Sequence, residues 1–203
     1  MIAIVDYGVG NLFSVKCSFD AIGAETVITS DAEVIRAADH ILLPGVGAFE
    51  DAAKKLRESG LDKVIIEEAK SGKPLLGICL GMQLLFEKSF EFGEHEGLGL
   101  LPGEIRPIAD VIPKGLKIPH IGWNGLCIND QTNPLFKYIN DGDCVYFVHS
   151  YYAKTADKNI LATTEYGAPI TASAARGNVY GCQFHPEKSG RVGLNILRAF
   201  CEV

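Results

Sequence analysis

In the first half of the chain, short continuous apolar runs alternate with stretches in which apolar residues recur at helical spacing. The run at 2–6 (IAIVD) is typical of a strand that is buried on both faces. The stretch after it places Val15, Phe19 and Ile22 on one face of a helix. By these two patterns we predict strands over 2–6, 25–29, 40–43 and 74–79, and helices over 11–22, 30–38, 48–58, 61–70 and 80–87.

Two serines are candidates for the residue that begins a helix. Ser30 and Glu33 have the spacing of a capping box, in which each side chain accepts from a backbone N–H of the other residue. This pair predicts that a helix runs from there to about Ala38. Ser189 precedes the last stretch of helical spacing, so we expect it to cap a final helix over 190–202.

Beyond Gly97 the apolar runs follow one another with only turn residues between them, which favours antiparallel hairpins. The chain has no repeat, low-complexity tract or linker, so we expect one domain over residues 1–203. The predicted fold is α/β, with a mostly parallel central sheet, helices on both faces and antiparallel strands in the C-terminal half. Strands of this half are expected at 104–108, 117–128, 144–153, 159–166, 168–175 and 178–184.

Composition narrows the class of protein. The chain has 203 residues, of which 47% are hydrophobic and 22% are charged, as in an ordinary globular domain. A net charge of −6 argues against a nucleic-acid partner. No apolar stretch reaches the roughly 20 residues that cross a bilayer, and the N-terminus MIAIVDYG lacks the features of a secretory signal. We therefore expect a cytoplasmic protein without a membrane partner.

The cysteines and histidines give no metal or disulfide signature. None of the six cysteines has C-x-x-C spacing, and the five histidines lack H-x-x-x-H spacing. In a reducing compartment the thiols should stay free, and most of them should be small buried apolar residues. We expect no metal ion and no cofactor.

One cysteine stands in an unusual setting, the segment GICLG at 77–81. A G-x-C-x-G segment between a strand and a helix predicts a sharp turn like the G-x-S-x-G elbow of hydrolases. Such a turn would expose Cys79 at the carboxyl end of the sheet, where open α/β sheets bind ligands. The N-terminus of the next helix would then favour a negative charge on the sulfur. The same segment also suits a buried cysteine whose glycines serve packing alone.

The segment QFHPEKS at 183–189 supplies a candidate base. The residue before a proline is held in an extended conformation, so His185 and Glu187 should face the same side. Glu187 could then orient the imidazole, and the other ring nitrogen could face Cys79, as in a catalytic triad. Taken alone, an H-P-E segment also suits an ordinary surface turn.

The segment PGVG at 44–47 follows a strand that should end at the same edge of the sheet. Acyl transfer requires backbone N–H groups directed at the developing oxyanion. We expect one of them from Leu80 and the second from Val46 or Gly47. A nucleotide site is not indicated, because the chain contains no G-x-x-x-x-G-K-S/T motif.

The segments LLPGVGAFE, GICLGMQLLF and FHPEKS together resemble those of the class I glutamine amidotransferases, which use a Cys-His-Glu triad. Within that class, PGVGAFE, PHIGWN, FVHSYY and HPEKSG resemble the glutaminase subunits of imidazole glycerol phosphate synthases. The resemblance runs from the first strand to the last helix and is least distinctive over 86–97.

The resemblance implies an enzyme of histidine biosynthesis that hydrolyses glutamine to glutamate and ammonia. Cys79 would form a thioester with glutamine, His185 would protonate the departing ammonia and then activate water, and Glu187 would orient His185. Ammonia would pass through a channel to a (β/α)₈ cyclase subunit in a heterodimer. There it would react with a phosphorylated ribulosyl-aminoimidazole-carboxamide, giving imidazole glycerol phosphate and an aminoimidazole carboxamide ribotide.

The resemblance also implies two groups of binding residues. Glutamine contacts are expected from Gly47, Gln83, Glu91, His149, Ser150 and Tyr151, and cyclase contacts from Asn11, Trp123, Asn124 and Lys188.

We further expect a switch at the PGVG loop. Because ammonia released to water would be wasted, the isolated chain should keep the Val46 N–H away from Cys79 until the cyclase binds. The glycines on both sides of Val46 would permit the rotation of that peptide plane.

Three other functions remain open from the sequence. The chain could be the glutaminase of a sister enzyme, such as an anthranilate or pyridoxal phosphate synthase, although PGVG and PHIGWN argue against it. It could be a stand-alone Cys-His hydrolase, which would be active without a partner. It could also be a catalytically silent binding module, although the three triad residues are all present.

Overall fold

The computed structural model describes residues 1–203 and contains three β-sheets. Their strands alternate with helices in the first half of the chain and follow one another directly in most of the second. The strands are β1 (Ile2–Val5), β2 (Thr26–Thr29), β3 (His40–Leu43), β4 (Leu75–Ile78), β5 (Phe86–Ser89), β6 (His95–Glu96), β7 (Leu101–Pro107), β8 (His120–Gly125), β9 (Cys127–Ile128), β10 (Cys144–His149), β11 (Tyr151–Lys154), β12 (Ile160–Glu165), β13 (Pro169–Arg176) and β14 (Val179–Cys182).

The central sheet has eight strands in the order β2-β1-β3-β4-β14-β13-β12-β9. Its first five strands are parallel, and its last three are antiparallel to their neighbours. The predicted fold class is therefore confirmed. Because β4 lies between β3 and β14, the loops after these three strands meet at one edge of the sheet.

Helices cover both faces of the central sheet, as expected. Phe19 and Phe200 pack on one face, whereas Leu56 and Ile65 pack on the other, and all four side chains are fully buried. No helix is long and apolar enough to cross a membrane. The helices are α1 (Leu12–Ala21), α2 (Ala32–Ala37), α3 (Phe49–Glu58), α4 (Leu61–Lys70), α5 (Leu80–Leu84) and α6 (Gly190–Phe200).

Of the two predicted caps, Ser30 is wrong, and Ser189 is confirmed as the N-cap position of α6 but without a capping bond. Helix α2 begins after Asp31, whose carboxylate accepts from the Glu33 N–H at 2.8 Å, so Ser30 is not the cap. Ser189 does precede α6, but its hydroxyl makes no bond to that helix. It donates to the His185 carbonyl and accepts from the Tyr146 N–H, and so it holds the loop before α6.

The segment after α5 differs most from the prediction. The expected helix over 80–87 ends at Leu84, and β5 follows it in a four-stranded sheet of order β11-β7-β5-β6. The chain turns there because Phe86 is fully buried in the core and its carbonyl lies against Gly97, which has no Cβ to collide with it. Long-range packing therefore overrides the local helical spacing.

Two predicted strands are also shorter than expected. Regular pairing in 117–128 begins only at His120, and the predicted strand over 144–153 is divided at Ser150. The division occurs because β10 pairs with β8, whereas β11 pairs with β7 in another sheet. All six cysteines are free, but Cys17, Cys127 and Cys144 are exposed, so burial is not the general rule for them.

A tight contact between two loops fixes the edge of the sheet at which β3, β4 and β14 end. A Cβ on Gly81 would overlap the carbonyl oxygen of Leu43, and a Cβ on Gly45 would lie 2.6 Å from the Gly81 nitrogen. A real Cβ essentially never lies this close to another heavy atom. The glycines therefore allow α5 to lie directly against the loop that follows β3.

We predict that Gly81→Ala lowers the free energy of unfolding by about 3 kcal/mol, since the added methyl group must displace backbone. Gly99→Ala is the matched control, because a Cβ at Gly99 meets no atom within 4 Å and adds only the strain of its φ of +63°. That strain should cost about 1–2 kcal/mol. Urea unfolding of both variants measures the difference, and equal losses would contradict the close-packing explanation.

Candidate active site

Cys79 lies at a strained turn between β4 and α5. Its φ of 53° and ψ of −112° fall in a region that non-glycine residues rarely occupy. The turn is held because the Cys79 N–H donates to the Cys182 carbonyl of β14 at 2.7 Å. The glycine at 77 is needed as well, since a Cβ there would lie 2.7 Å from the Gly81 carbonyl oxygen. The elbow predicted from G-x-C-x-G is therefore present, although its helix has only five residues.

His185 lies beside Cys79 in the loop after β14. Its Nδ1–H donates to Oε1 of Glu187 at 2.8 Å, and the side chains of both residues are almost fully buried. Burial alone would lower the pKa of His185, but hydrogen bonding to Cys79 and Glu187 raises this pKa to about 9. The imidazolium is thus stabilised between a sulfur and a carboxylate. This is the arrangement of a nucleophile, an acid–base group and an orienting group.

A pocket of about 310 Å³ opens above Cys79 and His185. A larger surface cleft of about 430 Å³, between α3 and β6, contains neither residue and is lined almost wholly by charged side chains. The pocket above Cys79 is lined by every residue that the sequence suggested for the oxyanion site and for glutamine contacts. Pro119 and Val148 also line it, and the sequence did not suggest them. Its lining is Val46, Gly47, Cys79, Leu80, Gln83, Glu91, Pro119, Val148, His149, Ser150, Tyr151 and His185.

The PGVG loop forms one rim of the pocket, and its two glycines have different roles. Gly47 has a φ of +95° and no atom near its missing Cβ, so it supplies conformational freedom. Gly45 lacks a positive φ and packs against Gly81 instead. The missing Cβ at Gly45 therefore has a packing role that the sequence did not suggest, and its part in rotation of the Val46 peptide stays a prediction. A substitution at Gly45 would disturb packing as well as rotation.

Two glutamines form an amide relay to the sulfur, and the sequence reasoning missed one of them. Gln183 is fully buried, and its Nε2 lies 3.8 Å from Cys79 Sγ, to which it donates. Its Oε1 accepts from Gln83 Nε2 at 3.0 Å. The same nitrogen of Gln83 donates to the Tyr151 carbonyl at 3.4 Å. A signal was available, because the sequence predicts an extended segment in which Gln183, two residues before His185, would share its face.

Two further pocket residues are fixed by the backbone. Glu91 reaches from the loop after β5 to the start of α3, where its carboxylate accepts from the Phe49 N–H at 2.6 Å. Negative charge is favourable at a helix N-terminus, so this contact holds the loop against α3. His149, at the end of β10, donates from Nδ1 to the Tyr151 carbonyl at 2.8 Å. Its buried position lowers its pKa to about 4.

The four residues expected at a partner interface lie outside the pocket. Asn11 caps α1 through a bond from the Ser14 N–H, and Asn124 is partly buried beside His120. Trp123 is 56% exposed and lies edge-on to Tyr146, over whose ring the Lys188 ammonium lies at 5.8 Å. Tyr146 was not identified from the sequence.

Comparison with known proteins gives one consistent result. Residues 3–202 match the family model described as glutamine amidotransferase class-I. Two relatives, each called imidazole glycerol phosphate synthase subunit HisH, come from Caldanaerobacter subterraneus and Lactococcus lactis. They are 52% and 51% identical, over 100% and 99% of this chain and 98% of each relative. A structure titled "Structure of PurLQS from Thermotoga maritima" superposes with a TM-score of 0.78 at 20% identity, covering 99% of this chain and 97% of that one.

We predict that Glu187→Gln lowers the pKa of His185 from about 9 toward the ordinary 6.5, because a neutral amide stabilises the imidazolium less than a carboxylate does. The imidazole would then lose its proton at a lower pH. Titration of the His185 ring by NMR measures the change. Glu202→Gln is the control, since that carboxylate pairs with Lys137 at the surface. An unchanged titration in Glu187→Gln would contradict the assignment of Glu187 as the orienting group.

Proposed function

The chain belongs to the class I glutamine amidotransferases and, within them, to the HisH glutaminase subunits of imidazole glycerol phosphate synthases of histidine biosynthesis, and we propose that Cys79, His185 and Glu187 perform its chemistry. The observation that carries the function is identity near one half along the whole chain. The assignment of the three residues is supported by their contacts and by the pocket above them.

In the first half of the reaction, Cys79 acts as a thiolate beside the protonated His185, and its Sγ attacks the side-chain amide carbon of glutamine. Negative charge develops on the amide oxygen, and we assign its stabilisation to the N–H of Leu80 and that of Val46 or Gly47. The carbon–nitrogen bond then breaks, and His185 gives its proton to the departing ammonia. A γ-glutamyl thioester remains on Cys79. The raised pKa of His185 suits this step, because the imidazole carries a proton at neutral pH.

In the second half, a water molecule attacks the thioester carbon and His185 takes up the proton of that water. The carbon–sulfur bond breaks, glutamate leaves, and the Cys79 thiolate is restored beside the protonated His185. Glu187 keeps the Nδ1–H of His185 directed at itself throughout, so the other ring nitrogen stays available for each proton transfer. This sequence consumes one glutamine and one water and requires no cofactor.

We propose that the remaining pocket residues recognise the amino-acid end of glutamine. Gln183 and the Tyr151 carbonyl engage the amide nitrogen of Gln83, so its amide oxygen is free to accept from the α-ammonium group. Glu91 offers negative charge to the same group. Gly47, His149, Ser150 and Tyr151 complete the contacts on the opposite walls.

The partner in this proposal is a cyclase subunit that receives the ammonia. A docking surface is supported by four exposed apolar side chains on or just before β8, where charged residues would be usual. Asn11, Asn124 and Lys188 would add polar contacts. These exposed apolar residues are Leu116, Ile118, Ile121 and Trp123.

Several finer features are part of the proposal. They are a heterodimer with the cyclase, an ammonia channel between the two subunits, lyase activity of the complex and a cytoplasmic location. The organisation of residues 1–203 as one domain and the rotation of the Val46 peptide on cyclase binding also stay predictions. A sister amidotransferase is disfavoured, because the full-length relatives at about half identity are HisH subunits.

We predict that Cys79→Ala abolishes glutamine hydrolysis in the complex with the cyclase, because the nucleophile is lost. Glu187→Gln should keep roughly 10–100 times more activity than Cys79→Ala, since it removes only the orienting group. Release of glutamate measures both effects. Cys127→Ala is the control for loss of a thiol, because Cys127 is exposed on β9. Equal, small losses in the two triad variants would refute the mechanism.

We predict that the isolated chain hydrolyses glutamine slowly and that the cyclase accelerates it. Full activity in the isolated chain would instead indicate a stand-alone hydrolase.

We predict that Trp123→Ala weakens cyclase binding roughly 30-fold, which corresponds to the ~2 kcal/mol typical of an aromatic interface residue. Tyr138→Ala is the control, because Tyr138 is an exposed aromatic that contacts Glu202 near the last helix. Calorimetric titration with the cyclase measures both dissociation constants.

A further inference from the structure

A line of hydrogen-bonding groups runs from the pocket to the strand that bears Trp123; it is buried at the two histidines and reaches the surface at Asn124 and Glu165. It begins at the Tyr151 carbonyl, which lies 2.8 Å from His149 Nδ1. His149 Nε2 lies 3.0 Å from His120 Nδ1, directly across the pairing of β10 with β8. His120 Nε2 lies 2.9 Å from Asn124 Oδ1, and Asn124 Nδ2 lies 3.3 Å from the Glu165 carbonyl. The line therefore contains four contacts between two backbone carbonyls.

These four contacts need four protons, whereas neutral side chains supply only three. Each carbonyl at an end can only accept, so the three side chains must provide every proton. A neutral His149, a neutral His120 and the amide of Asn124 each place one donor and one acceptor in the line. One contact would then hold two facing lone pairs. The alternative is a fourth proton, which makes one imidazole a cation.

The two histidines have little freedom to relieve this shortage. His120 is fully buried and stacks between the rings of Phe147 and Tyr166, with interplanar angles of 21° and 22°. The Tyr151 carbonyl can only accept and lies 2.8 Å from His149 Nδ1, so this short contact requires the proton of His149 to be on Nδ1. The contact between the two imidazoles must therefore be filled by a proton on His120 Nδ1. Burial lowers the pKa of both side chains, which favours the neutral pair at neutral pH.

The state of Asn124 follows from that requirement. If His120 is neutral with its proton on Nδ1, its Nε2 is an acceptor and needs the NH₂ group of Asn124. A half-turn of the amide from the orientation described above provides this donor. If His120 is an imidazolium, the amide oxygen faces it instead. The contact left without a proton in the neutral state is then the one with Glu165, the longest of the four at 3.3 Å.

We propose that His120 and Asn124 are positioning residues of the glutamine pocket, which fix His149 as the Nδ1–H tautomer and thereby hold the Tyr151 carbonyl. One proton on His120 sets which end of the Asn124 amide faces that imidazole. The Tyr151 carbonyl also accepts from Gln83, so its position affects two pocket residues at once. The catalytic consequence rests on the function proposed above, whereas the tautomers and the amide orientation do not.

No other protein side chain near the two imidazoles supplies the missing proton. His185 faces His149 across the pocket and lowers its pKa further, and Cys79 and Glu91 line the same pocket. The Tyr166 hydroxyl donates to the Lys117 carbonyl at 2.7 Å, away from His120. The Glu165 side chain is exposed, so only its carbonyl enters the line.

The first arm of the test is NMR of the full chain labelled with ¹⁵N-histidine at pH 7.5. We expect both His120 and His149 as neutral Nδ1–H tautomers. Asn124→Asp replaces the amide with an acceptor, so it should convert His120 to an imidazolium at the same pH. Asn129→Asp adds the same charge at an exposed position and should leave both rings neutral. A neutral His120 in Asn124→Asp, or an Nε2–H tautomer of His149 in the unmodified chain, would overturn the proposal.

The second arm is kinetic and uses the complex with the cyclase. His120→Leu removes the donor to His149, so the pocket wall should loosen and the KM for glutamine should rise about tenfold, with a smaller change in kcat. His120→Asn keeps an N–H near the place of Nδ1 and should restore most of the affinity. An unchanged KM and an unchanged His149 tautomer in His120→Leu would overturn the proposal. Absence of glutamine hydrolysis in the unmodified complex would overturn the proposed function instead, and the NMR arm would still decide this inference.

Discussion

The close contact between the loop after β3 and the start of α5 is the constraint on which the site depends. Gly81 can lie against the Leu43 carbonyl only because it has no side chain, and Gly45 fits against Gly81 for the same reason. This contact brings the PGVG loop to the rim of the Cys79 pocket. The strained φ of Cys79 follows from it, because the chain must reverse within one residue between β4 and α5. Strain here is a cost that the surrounding parallel strands offset.

Around this elbow, the polar groups of the site form hydrogen bonds to one another. Gln183 connects Cys79 to Gln83, and Ser189 holds the backbone on which His185 lies. The Tyr151 carbonyl is shared by His149 and Gln83. One carboxylate oxygen, Oε2 of Glu187, is buried without a partner. The hydrogen bonds of the other groups limit the rotation of side chains that line the pocket, or of side chains that support them.

Much of the fold and the position of the candidate site could be predicted from the sequence because their signals are local. Apolar runs identified the parallel strands, and the glycines around Cys79 identified the elbow. Features created by distant pairing could not be predicted in this way. Strand β5 is short and follows a helix, so only its pairing with β6 and β7 shows that it is a strand. Tyr146 likewise becomes notable only when β10 pairs with β8 and brings it to Trp123.

The ribbon formed by β8 and β10 also limits how this molecule could change during evolution. Along β10, Val145, Phe147 and His149 are buried, whereas Tyr146 and Val148 between them are only partly so. Because the two faces alternate strictly, inserting or deleting one residue would exchange the two sets of side chains. His149 would then lie on the partly exposed face of the ribbon, and Tyr146 on the buried face. The length of this ribbon between the turn and the pocket can therefore change only in steps of two if both faces are to keep their side chains.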